Sequence, residues 1–322
     1  MPAAFVEPWN DLPLPALYQR FEQTGLIRRL LELARDEDLG PSRIDLTGAA
    51  LPGDEARASV RLVAREAGVC AGLASLPLLL EVFGAEVESE ATLADGAWFE
   101  KGTTLATFEG AMPDLVRVER TLLNLVSRLC GIATRTAVFL DAMRSEASAE
   151  PARSRLYDTR KTTPGLRVLE KYAVRCGGGF CHRLGLHDAV MFKDNHIAGV
   201  TPDRLAAHAR SLADASRAAG ATAGLRPAFI EFEVDTLHQL DALLTLDEGV
   251  IDIVLLDNMP PAMLTEAVSR RDARNPGLAL EASGGVTLHT IADIARTGVD
   301  RISVGGLTHR AVSLDLGFDA DA

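Results

Sequence analysis

The stretch from Asp158 to His196 reads DTRKTTPGLRVLEKYAVRCGGGFCHRLGLHDAVMFKDNH, and it decides the architecture of the chain. The strand-like apolar run Leu156–Tyr157 precedes it, and a second run, Ala189–Phe192, lies near its end. Between them, the segment from Pro164 to Arg175 has a helical pattern and begins with proline in its first turn, a common start for a helix. Strand, helix and strand in this order predict a βαβ unit with parallel strands.

The same alternation continues to the end of the chain. Further strand-like runs are Ala228–Val234, Ile251–Leu256, Leu278–Leu280 and Ile302–Val304. Helical segments are predicted from Thr201, from Thr236 to Leu246, from Pro261 to Ala273 and from Thr287 to Thr297, where N-cap residues, proline and a final glycine mark the ends. Six such units favour an α/β barrel, or part of one, at least as much as an open sheet.

The first 144 residues have a different pattern. Helical spacing of apolar residues runs from Ala16 to Asp38, and a shorter helix is predicted from Leu73 to Phe83. Residues 56–66 and 96–110 alternate or are punctuated by glycine, as strands and turns are. A long helix is predicted from Pro113 to Arg144. This part is therefore expected to form a separate α+β unit.

Charge is distributed unevenly along the chain. The protein has a formal net charge of -12, yet residues 153–193 hold nine cationic and three acidic side chains, a local charge of about +6. The chain contains only Lys101, Lys161, Lys171 and Lys193 as lysines, and three of these lie in this window. Such a field on an acidic protein predicts a site for a small anion, although an arginine-rich solvated face is the alternative.

Composition excludes several classes of protein. A sequence pI near 5.1 argues against a general nucleic-acid binder. The longest apolar run, Val69–Leu80, is too short to span a bilayer, and the N-terminus shows no secretion signal. Four cysteines in 322 residues do not form a disulfide framework, so a reducing cytoplasm is expected.

Polar residues stand where the predicted strands end. Lys193 follows the second strand, Glu233 lies in the third, and Asp257 ends the fourth. Ser283-Gly284-Gly285 and Gly305-Gly306 follow the last two. The carboxyl ends of parallel strands are where α/β proteins build sites, and glycine pairs there let backbone N–H groups approach a phosphate. One such residue is often only a helix cap, but five in succession favour a site. Cys176, Cys181, His182 and His187 match no standard zinc spacing.

Several motifs together resemble those of the quinolinate phosphoribosyltransferase family. They cover nearly the full length and are ERTLLNLVSRLCGIAT (119–134), DTRKTTPGLR (158–167), FKDNH (192–196), EFEVDT (231–236), VLLDN (254–258), LEASGG (280–285) and TGVDRISVGGLTH (297–309). The resemblance implies an α/β fold with an N-terminal α/β sandwich domain (1–128), a C-terminal open α/β barrel of the type II phosphoribosyltransferase kind (129–306) and a tail (307–322) that returns to the first domain. It also implies a homodimer with shared active sites, with a higher oligomer left open.

The same resemblance implies a pentosyltransferase reaction. Phosphoribosyl pyrophosphate and quinolinate would give nicotinate mononucleotide, pyrophosphate and CO2, with Mg²⁺ as cofactor, in NAD biosynthesis. It assigns catalysis to Lys161, Lys193, Glu233 and Asp257, and Mg²⁺ to Glu233 and Asp257. The residues expected to bind substrate are Arg120 (from a partner subunit), Thr159, Arg160, Lys161, His182, Arg183, Lys193, Glu233, Asp257, Ser283, Gly284, Gly285, Val304, Gly305 and Gly306.

One departure and two alternatives accompany this interpretation. Cys181 stands where the family usually has asparagine, so weaker polar support is expected for His182. A related enzyme acting on another ring, such as a molybdenum-utilisation relative, is one alternative. A non-catalytic barrel that binds phosphometabolites is the other, and Glu233 and Asp257 argue against it because acids beside phosphates require a metal or a ribose.

Overall fold

The computed structural model describes residues 9–50, 57–145 and 154–320. Arg153, counted above in the cationic window, lies outside these residues. The helices are α1 (Leu14–Glu22), α2 (Leu26–Leu39), α3 (Leu76–Phe83), α4 (Met112–Ser145), α5 (Arg167–Cys176), α6 (Asp194–Ile197), α7 (Pro202–Thr222), α8 (Leu237–Leu243), α9 (Pro261–Arg274), α10 (Ile291–Arg296) and α11 (Gly306–His309). The strands are β1 (Arg57–Ala64), β2 (Gly68–Val69), β3 (Val87–Ala91), β4 (Trp98–Phe99), β5 (Thr104–Ala111), β6 (Arg155–Tyr157), β7 (Val190–Phe192), β8 (Ile230–Val234), β9 (Ile253–Asp257), β10 (Ala279–Ser283), β11 (Arg301–Ser303) and β12 (Leu316–Ala320).

The chain forms two compact units, each assembled from separate stretches of sequence. Unit 1 contains Met1–Asp11, Val138–Arg160 and Gly179–Gly306, whereas unit 2 contains Leu12–Ala137, Lys161–Gly178 and Leu307–Ala322. The ranges 1–128, 129–306 and 307–322 divide the chain by sequence alone, and they stay a prediction beside this spatial division.

Unit 1 is built on one parallel sheet of six strands. Its order is β6-β11-β10-β9-β8-β7, and each pair of neighbours runs parallel. Every residue of β8 is buried, as expected for a strand covered on both faces. The six strand-like runs read from the sequence are these six strands, so the predicted α/β class with a parallel-sheet domain is confirmed.

Helices alternate with these strands, and the residues at the helix ends show which capping and turn residues set the helix boundaries. Thr236 caps α8 through a reciprocal pair of bonds with Gln239, which is a capping box. Two predicted starts were too early: α5 begins at Arg167 rather than Pro164, and α10 begins at Ile291 rather than Thr287. In both places a turn comes first; Gly165, with φ +84°, lies in the turn before α5.

Unit 2 contains a four-stranded sheet of order β12-β1-β5-β3. Its neighbours are antiparallel, and β12 at the far end of the sequence pairs with β1, placing Ala320 opposite Val60. The single helix predicted from Ala16 to Asp38 is two helices, α1 and α2. Gly25, with φ +72°, separates them because a left-handed residue cannot continue an α-helix.

The long helix α4 confirms the predicted helical stretch from Pro113 to Arg144. By length and composition it could cross a membrane, but 61% of its most apolar window is buried inside the protein, as in a core helix. Gly131 lies where this helix meets the backbone of Val312, and a β-carbon at Gly131 would collide with the Val312 carbonyl oxygen. This glycine therefore permits a close contact.

Candidate functional site

The carboxyl ends of the six parallel strands in unit 1 form one edge, which we call the strand-end rim. Because parallel strands all end on the same side, residues that follow each strand are brought to this edge. Predicted site residues occur at every one of the six ends: Thr159 and Arg160 after β6, Lys193 after β7, Glu233 in β8, Asp257 at the end of β9, Ser283, Gly284 and Gly285 at the end of β10, and Val304, Gly305 and Gly306 after β11.

Neighbouring strands place particular rim residues side by side. The Lys193 ammonium lies 2.6 Å from a carboxylate oxygen of Glu233, and the Lys193 side chain is about half exposed whereas Glu233 is buried. One strand further on, Asp257 is in register with Ser283. The rim therefore combines a cation and two carboxylates on three adjacent strands with the glycine loops beside them.

The loop after β10 has a backbone that only glycine adopts readily. Gly284 and Gly285 have φ of +91° and +61°, in the left-handed region that disfavours other residues. A β-carbon on Gly284 would also lie 2.9 Å from the backbone nitrogen of Asn258. After β11, Gly306 opens the short helix α11. These glycines add no side chain of their own to the central part of the rim, where the Asn258 side chain packs against Gly284.

His182 and Arg183 lie in a segment that connects the two outer strands of the sheet. Phe180 forms a bridge with Tyr157 of β6, and the Arg183 guanidinium donates to the Ala189 carbonyl 3.4 Å away, just before β7. Burial and the neighbouring Arg160 guanidinium lower the pKa of Arg183. The Arg160 charge therefore acts unfavourably on Arg183, and an anion bound nearby would offset this repulsion.

Four buried charged residues lie beneath the rim, and we call them the buried ionic layer: His182, Glu231, Glu281 and Arg301. His182 Nε2 is 3.1 Å from Glu231 and 3.4 Å from Glu281. Arg301 Nε donates to the other oxygen of Glu281 at 2.6 Å. The Arg301 guanidinium also stacks 3.7 Å from the centre of the Tyr157 ring. None of the four is more than 4% exposed.

Strand alternation explains why the layer lies directly below the rim. Side chains two residues apart point to the same face of a strand, so Glu231 shares a face with Glu233, and Glu281 shares a face with Ser283. In each pair the rim residue is nearer the strand's carboxyl end. One strand can therefore supply both a ligand-facing polar residue and a buried charge.

The carboxylates determine the charge of His182. Burial alone would lower the pKa of His182, but Glu281 and Glu231 outweigh it and raise the pKa to about 9. Burial likewise favours protonated Glu281, yet His182 and Arg301 lower its pKa to about 2. Glu231 differs, because burial and then the Glu281 charge raise its pKa. The layer thus balances its charges internally.

Hydrogen bonds fix the His182 ring in one orientation. Its Nδ1 accepts the backbone N–H of Arg183 at 2.8 Å, which leaves a ring proton on Nε2, facing the two carboxylates. This bond belongs to the neutral ring: in the protonated ring that Glu281 and Glu231 favour, Nδ1 carries its own proton and the Arg183 N–H loses this acceptor. The backbone N–H of His182 donates to the buried Asp158 carboxylate at 2.8 Å, so the residue is held at both its backbone and its ring.

Several of these residues were not predicted to belong to the site. Arg301, Asp158, Glu231 and Glu281 were absent from the predicted site residues. The available signal was a charged residue beside a short strand-like run, since Glu281 follows LAL and Arg301 precedes ISV. A buried charge is rare without a partner, and this pattern marks such positions.

Two predicted residues belong to unit 2. Arg120 is exposed on α4, and Lys161 is exposed directly after Arg160 in the sequence. The Lys161 carbonyl accepts a 2.6 Å hydrogen bond from the Thr308 hydroxyl, which anchors the backbone that carries its ammonium. Their assignment to substrate binding stays a prediction.

Carboxylate groups give two places with metal-ligand chemistry in the described part of the chain. Glu233 and Asp257 lie on adjacent strands and offer oxygen ligands of the kind that Mg²⁺ takes together with phosphates, so the residues fit that ion. The second place is the buried ionic layer, where His182, Glu231 and Glu281 bring ligand atoms within 4.8 Å of one another. There Arg301 already supplies the compensating positive charge.

Comparisons with known proteins match most of this sequence to one protein family. The family model "Quinolinate phosphoribosyl transferase, C-terminal domain" matches residues 132–319, and the N-terminal domain model of the same family matches residues 45–130. A nicotinate-nucleotide pyrophosphorylase [carboxylating] of Mycobacterium leprae is 45% identical over 260 residues, covering 80% of this chain and 84% of that protein. A probable enzyme of the same name from Bacillus subtilis is 36% identical over 293 residues, covering 91% and 93%.

A solved structure shows a similar fold. The nicotinate-nucleotide pyrophosphorylase from Francisella tularensis superimposes with a TM-score of 0.78 at 28% sequence identity. The superposition covers 97% of this chain and 98% of that one. Sequence motifs, strand order and overall architecture therefore lead to the same group of proteins.

Proposed function

The chain belongs to the quinolinate phosphoribosyl transferase family, and from this premise we propose that it transfers the phosphoribosyl group of phosphoribosyl pyrophosphate to quinolinate. The products are nicotinate mononucleotide, pyrophosphate and CO2, so the enzyme is a decarboxylating transferase of NAD biosynthesis. The observation that carries this proposal is the strand-end rim, where Lys193 pairs with Glu233 beside the glycine loops in a chain that both domain models of the family match, because cations and glycine backbone suit a dicarboxylate and a sugar phosphate.

Quinolinate would bind among the cations at the edge of unit 1. Arg160, Thr159 and Arg183 would take its carboxylates, and Lys193 would add a point charge. His182 is buried against Glu231 and Glu281, so it would act from beneath the pocket. Each charge-assisted hydrogen bond contributes about 1.5–3 kcal/mol, enough for a small dianion to bind selectively.

Phosphoribosyl pyrophosphate would occupy the remainder of the strand-end rim. The loops Ser283–Gly285 and Val304–Gly306 offer glycine backbone to the 5′-phosphate, since N–H groups without a covering side chain approach phosphate oxygens closely. Glu233 and Asp257 would hold the ribose hydroxyls or Mg²⁺ brought with the pyrophosphate. When bound, Mg²⁺ would neutralise charge on the leaving pyrophosphate.

The bond changes follow from the two substrates. The pyridine nitrogen forms a bond to C1 of the ribose while the bond from C1 to the pyrophosphate oxygen breaks, and its electron pair leaves with pyrophosphate. Positive charge develops on the ribose, as in other glycosyl transfers, where the carboxylates of Glu233 and Asp257 stabilise it. Lys161 and Lys193 stabilise the departing negative charge.

Decarboxylation needs no metal or base from the protein. Once ribosylated, the ring nitrogen is cationic, so the electron pair of the neighbouring carbon–carboxylate bond can remain on the ring carbon as CO2 departs. A proton taken up at that carbon completes nicotinate mononucleotide. No side chain of this protein is assigned as its donor.

A direct assay tests this function. Purified protein is incubated with phosphoribosyl pyrophosphate, Mg²⁺ and one of three acceptors: quinolinate, nicotinate or nicotinamide. Consumption with quinolinate alone, with release of CO2, is expected. A preference for another ring would favour a related glycosyltransferase, and no consumption with any acceptor would favour a phosphometabolite-binding barrel.

We also propose a cytoplasmic homodimer in which Arg120 completes the site of the partner. Arg120→Ala and Lys161→Ala should each abolish activity alone. After subunit exchange, the heterodimer carries one intact and one doubly altered site, so random mixing should restore up to about a quarter of wild-type activity by the statistics of a closed dimer. Failure to recover any activity, with exchange verified by mass spectrometry, would reject the shared site.

A further inference from the structure

The segment that carries His182 and Arg183 lacks regular secondary structure of its own. The described residues 181–189 contain neither helix nor strand. Their conformation depends on individual acceptors for consecutive backbone N–H groups. These are Leu156 O for Phe180 (2.8 Å), Asn10 Oδ1 for Cys181 (2.8 Å), Asp158 Oδ1 for His182 (2.8 Å), His182 Nδ1 for Arg183 (2.8 Å), and the Asp188 carboxylate for Leu184 (2.6 Å) and Gly185 (2.7 Å).

Asn10 differs from the other acceptors because it bonds both the N–H and the carbonyl of one residue of the segment. Its Oδ1 accepts from the Cys181 N–H at 2.8 Å, and its Nδ2 donates to the Cys181 carbonyl at 2.9 Å. One side-chain amide thus pairs with both backbone groups of a single residue, as a neighbouring strand would. Asn10 is 9% exposed, so water competes little for these bonds.

The position of this link gives it a consequence for substrate binding. Cys181 immediately precedes His182, so the Asn10 amide fixes the peptide from which the His182–Arg183 pair extends. The Cys181 side chain is itself buried, with 0% exposure. The contact joins residues 171 apart in sequence, and its two bonds lie within unit 1. Backbone placement errors of about 1 Å at such a point are costly to catalysis.

We infer that Asn10 is a positioning residue for the dicarboxylate pocket, acting through the Cys181 backbone on His182 and Arg183. The inference rests on the proposed function, because it assigns the pair to quinolinate. The loops proposed for the sugar phosphate, Ser283–Gly285 and Val304–Gly306, are carried by β10 and β11 instead. Loss of the Asn10 amide therefore weakens quinolinate binding and leaves phosphoribosyl pyrophosphate binding nearly unchanged.

The test compares Asn10→Ala with a matched asparagine. Asn275→Ala also removes a side-chain bond to a backbone carbonyl, that of Leu246 at 3.3 Å, at the end of α9 and away from the rim. Full-length Asn10→Ala should raise the KM for quinolinate about tenfold, equivalent to about 1.4 kcal/mol. Its KM for phosphoribosyl pyrophosphate should stay within about twofold by the same relation, and Asn275→Ala should match wild type in both.

Two further measurements separate positioning from a general structural role. Asn10→Asp keeps the acceptor for Cys181 and loses the donor, so its KM for quinolinate should lie between wild type and Asn10→Ala. Hydrogen exchange should be faster in Asn10→Ala at the amides of residues 181–185 and unchanged in β10 and β11. Exchange needs no turnover, so it reports on the Asn10 link even if the wild-type protein proves inactive on quinolinate.

Each result decides the inference in one direction. Faster exchange at residues 181–185 with a selective rise in the quinolinate KM supports it. Wild-type exchange and kinetics in Asn10→Ala overturn it. A lower melting temperature with both KM values unchanged also overturns it, because Asn10 would then be only an anchor of the N-terminal segment. Wild-type protein that ignores quinolinate rejects the proposed function itself.

Discussion

The strand-end rim and the buried ionic layer belong to the same sheet, yet their charged side chains differ in exposure to solvent and in how fully they are paired. At the rim, the side chain of Lys193 is 47% exposed and contacts one carboxylate. In the layer, His182, Glu281 and Arg301 are enclosed and compensate one another. A charge that remains partly in water can exchange its partner for a substrate group, whereas a fully enclosed charge cannot leave its partner without a large cost.

Within one strand, this difference separates a residue that can contact substrate from a residue that supports the fold. Glu231 and Glu233 are two residues apart in β8, and both face the same side of the sheet. Only the outer one, Glu233, contacts a rim cation. Changes in the rim should therefore affect activity with little loss of stability, and changes in the layer should affect stability first.

The largest effect is expected in the layer. Glu281→Leu removes the carboxylate and leaves His182 and Arg301 as buried cations without it, which costs about 3–5 kcal/mol. The apparent melting temperature should fall by at least about 6 °C. Glu88→Leu is the control, because Glu88 forms an exposed pair with Arg57 at 3.9 Å and should cost less than about 1 kcal/mol. Equal shifts for the two variants would show that the layer is not a stability element.

The next effect is expected at the rim. Lys193→Ala should lower kcat/KM by about 10²–10³-fold, the usual cost of removing one group that stabilises transition-state charge. The melting temperature should change little, because the Lys193 side chain is about half exposed. Lys101→Ala, which removes an exposed lysine of unit 2, provides the comparison. Full turnover in Lys193→Ala, or a protein that simply unfolds, would remove Lys193 from the catalytic residues.

The rim and the layer also differ in how well the sequence predicts them. Rim residues such as Lys193 and Asp257 stand directly after apolar runs of four to six residues, and parallel strands must bring such ends to one edge. The parallel-sheet fold followed from the same runs and is confirmed. The roles of the rim residues stay predictions, which the Lys193→Ala assay tests directly.

The layer and its surroundings were harder to predict for physical reasons. Glu281 and Arg301 meet only after β10 and β11 pair, and no local pattern specifies that contact. Asn10 bonds the backbone of Cys181, a contact that leaves no trace in side-chain spacing. The strand β12 was not predicted as a strand, although the resemblance implied that the tail 307–322 returns to the first domain; its pairing places Ala320 opposite Val60, far away in the sequence. Long-range pairing thus determined what the sequence alone did not predict.

A pH titration examines the layer without disrupting it. Burial lowers the pKa of His182, but Glu281 and Glu231 outweigh burial and raise it to about 9. With ¹⁵N-labelled histidine, one of the seven histidines should titrate near pH 9, and its signal should be absent in His182→Asn. The pKa is raised on folding, so the contribution to stability, of order 3 kcal/mol, is fully present below about pH 6.5 and is lost as pH rises through about 9. A His182 that titrates near 6.5 would show that the carboxylates do not hold its proton.

The smallest effect concerns the glycines at the centre of the rim. Gly284 and Gly249 both have positive φ, +91° and +80°, so alanine at either position costs about 1–2 kcal/mol in backbone conformation. A β-carbon at Gly249 meets nothing within 4 Å, whereas one at Gly284 lies 2.9 Å from the Asn258 backbone nitrogen. Gly284→Ala should therefore also displace the loop after β10 and raise the KM for phosphoribosyl pyrophosphate about tenfold, while Gly249→Ala leaves that KM unchanged. Equal KM values in the two variants would mean that the Gly284 loop does not bind the phosphate. The proposed phosphate site at the rim would then be rejected, whereas the proposed role of the rim cations would stand.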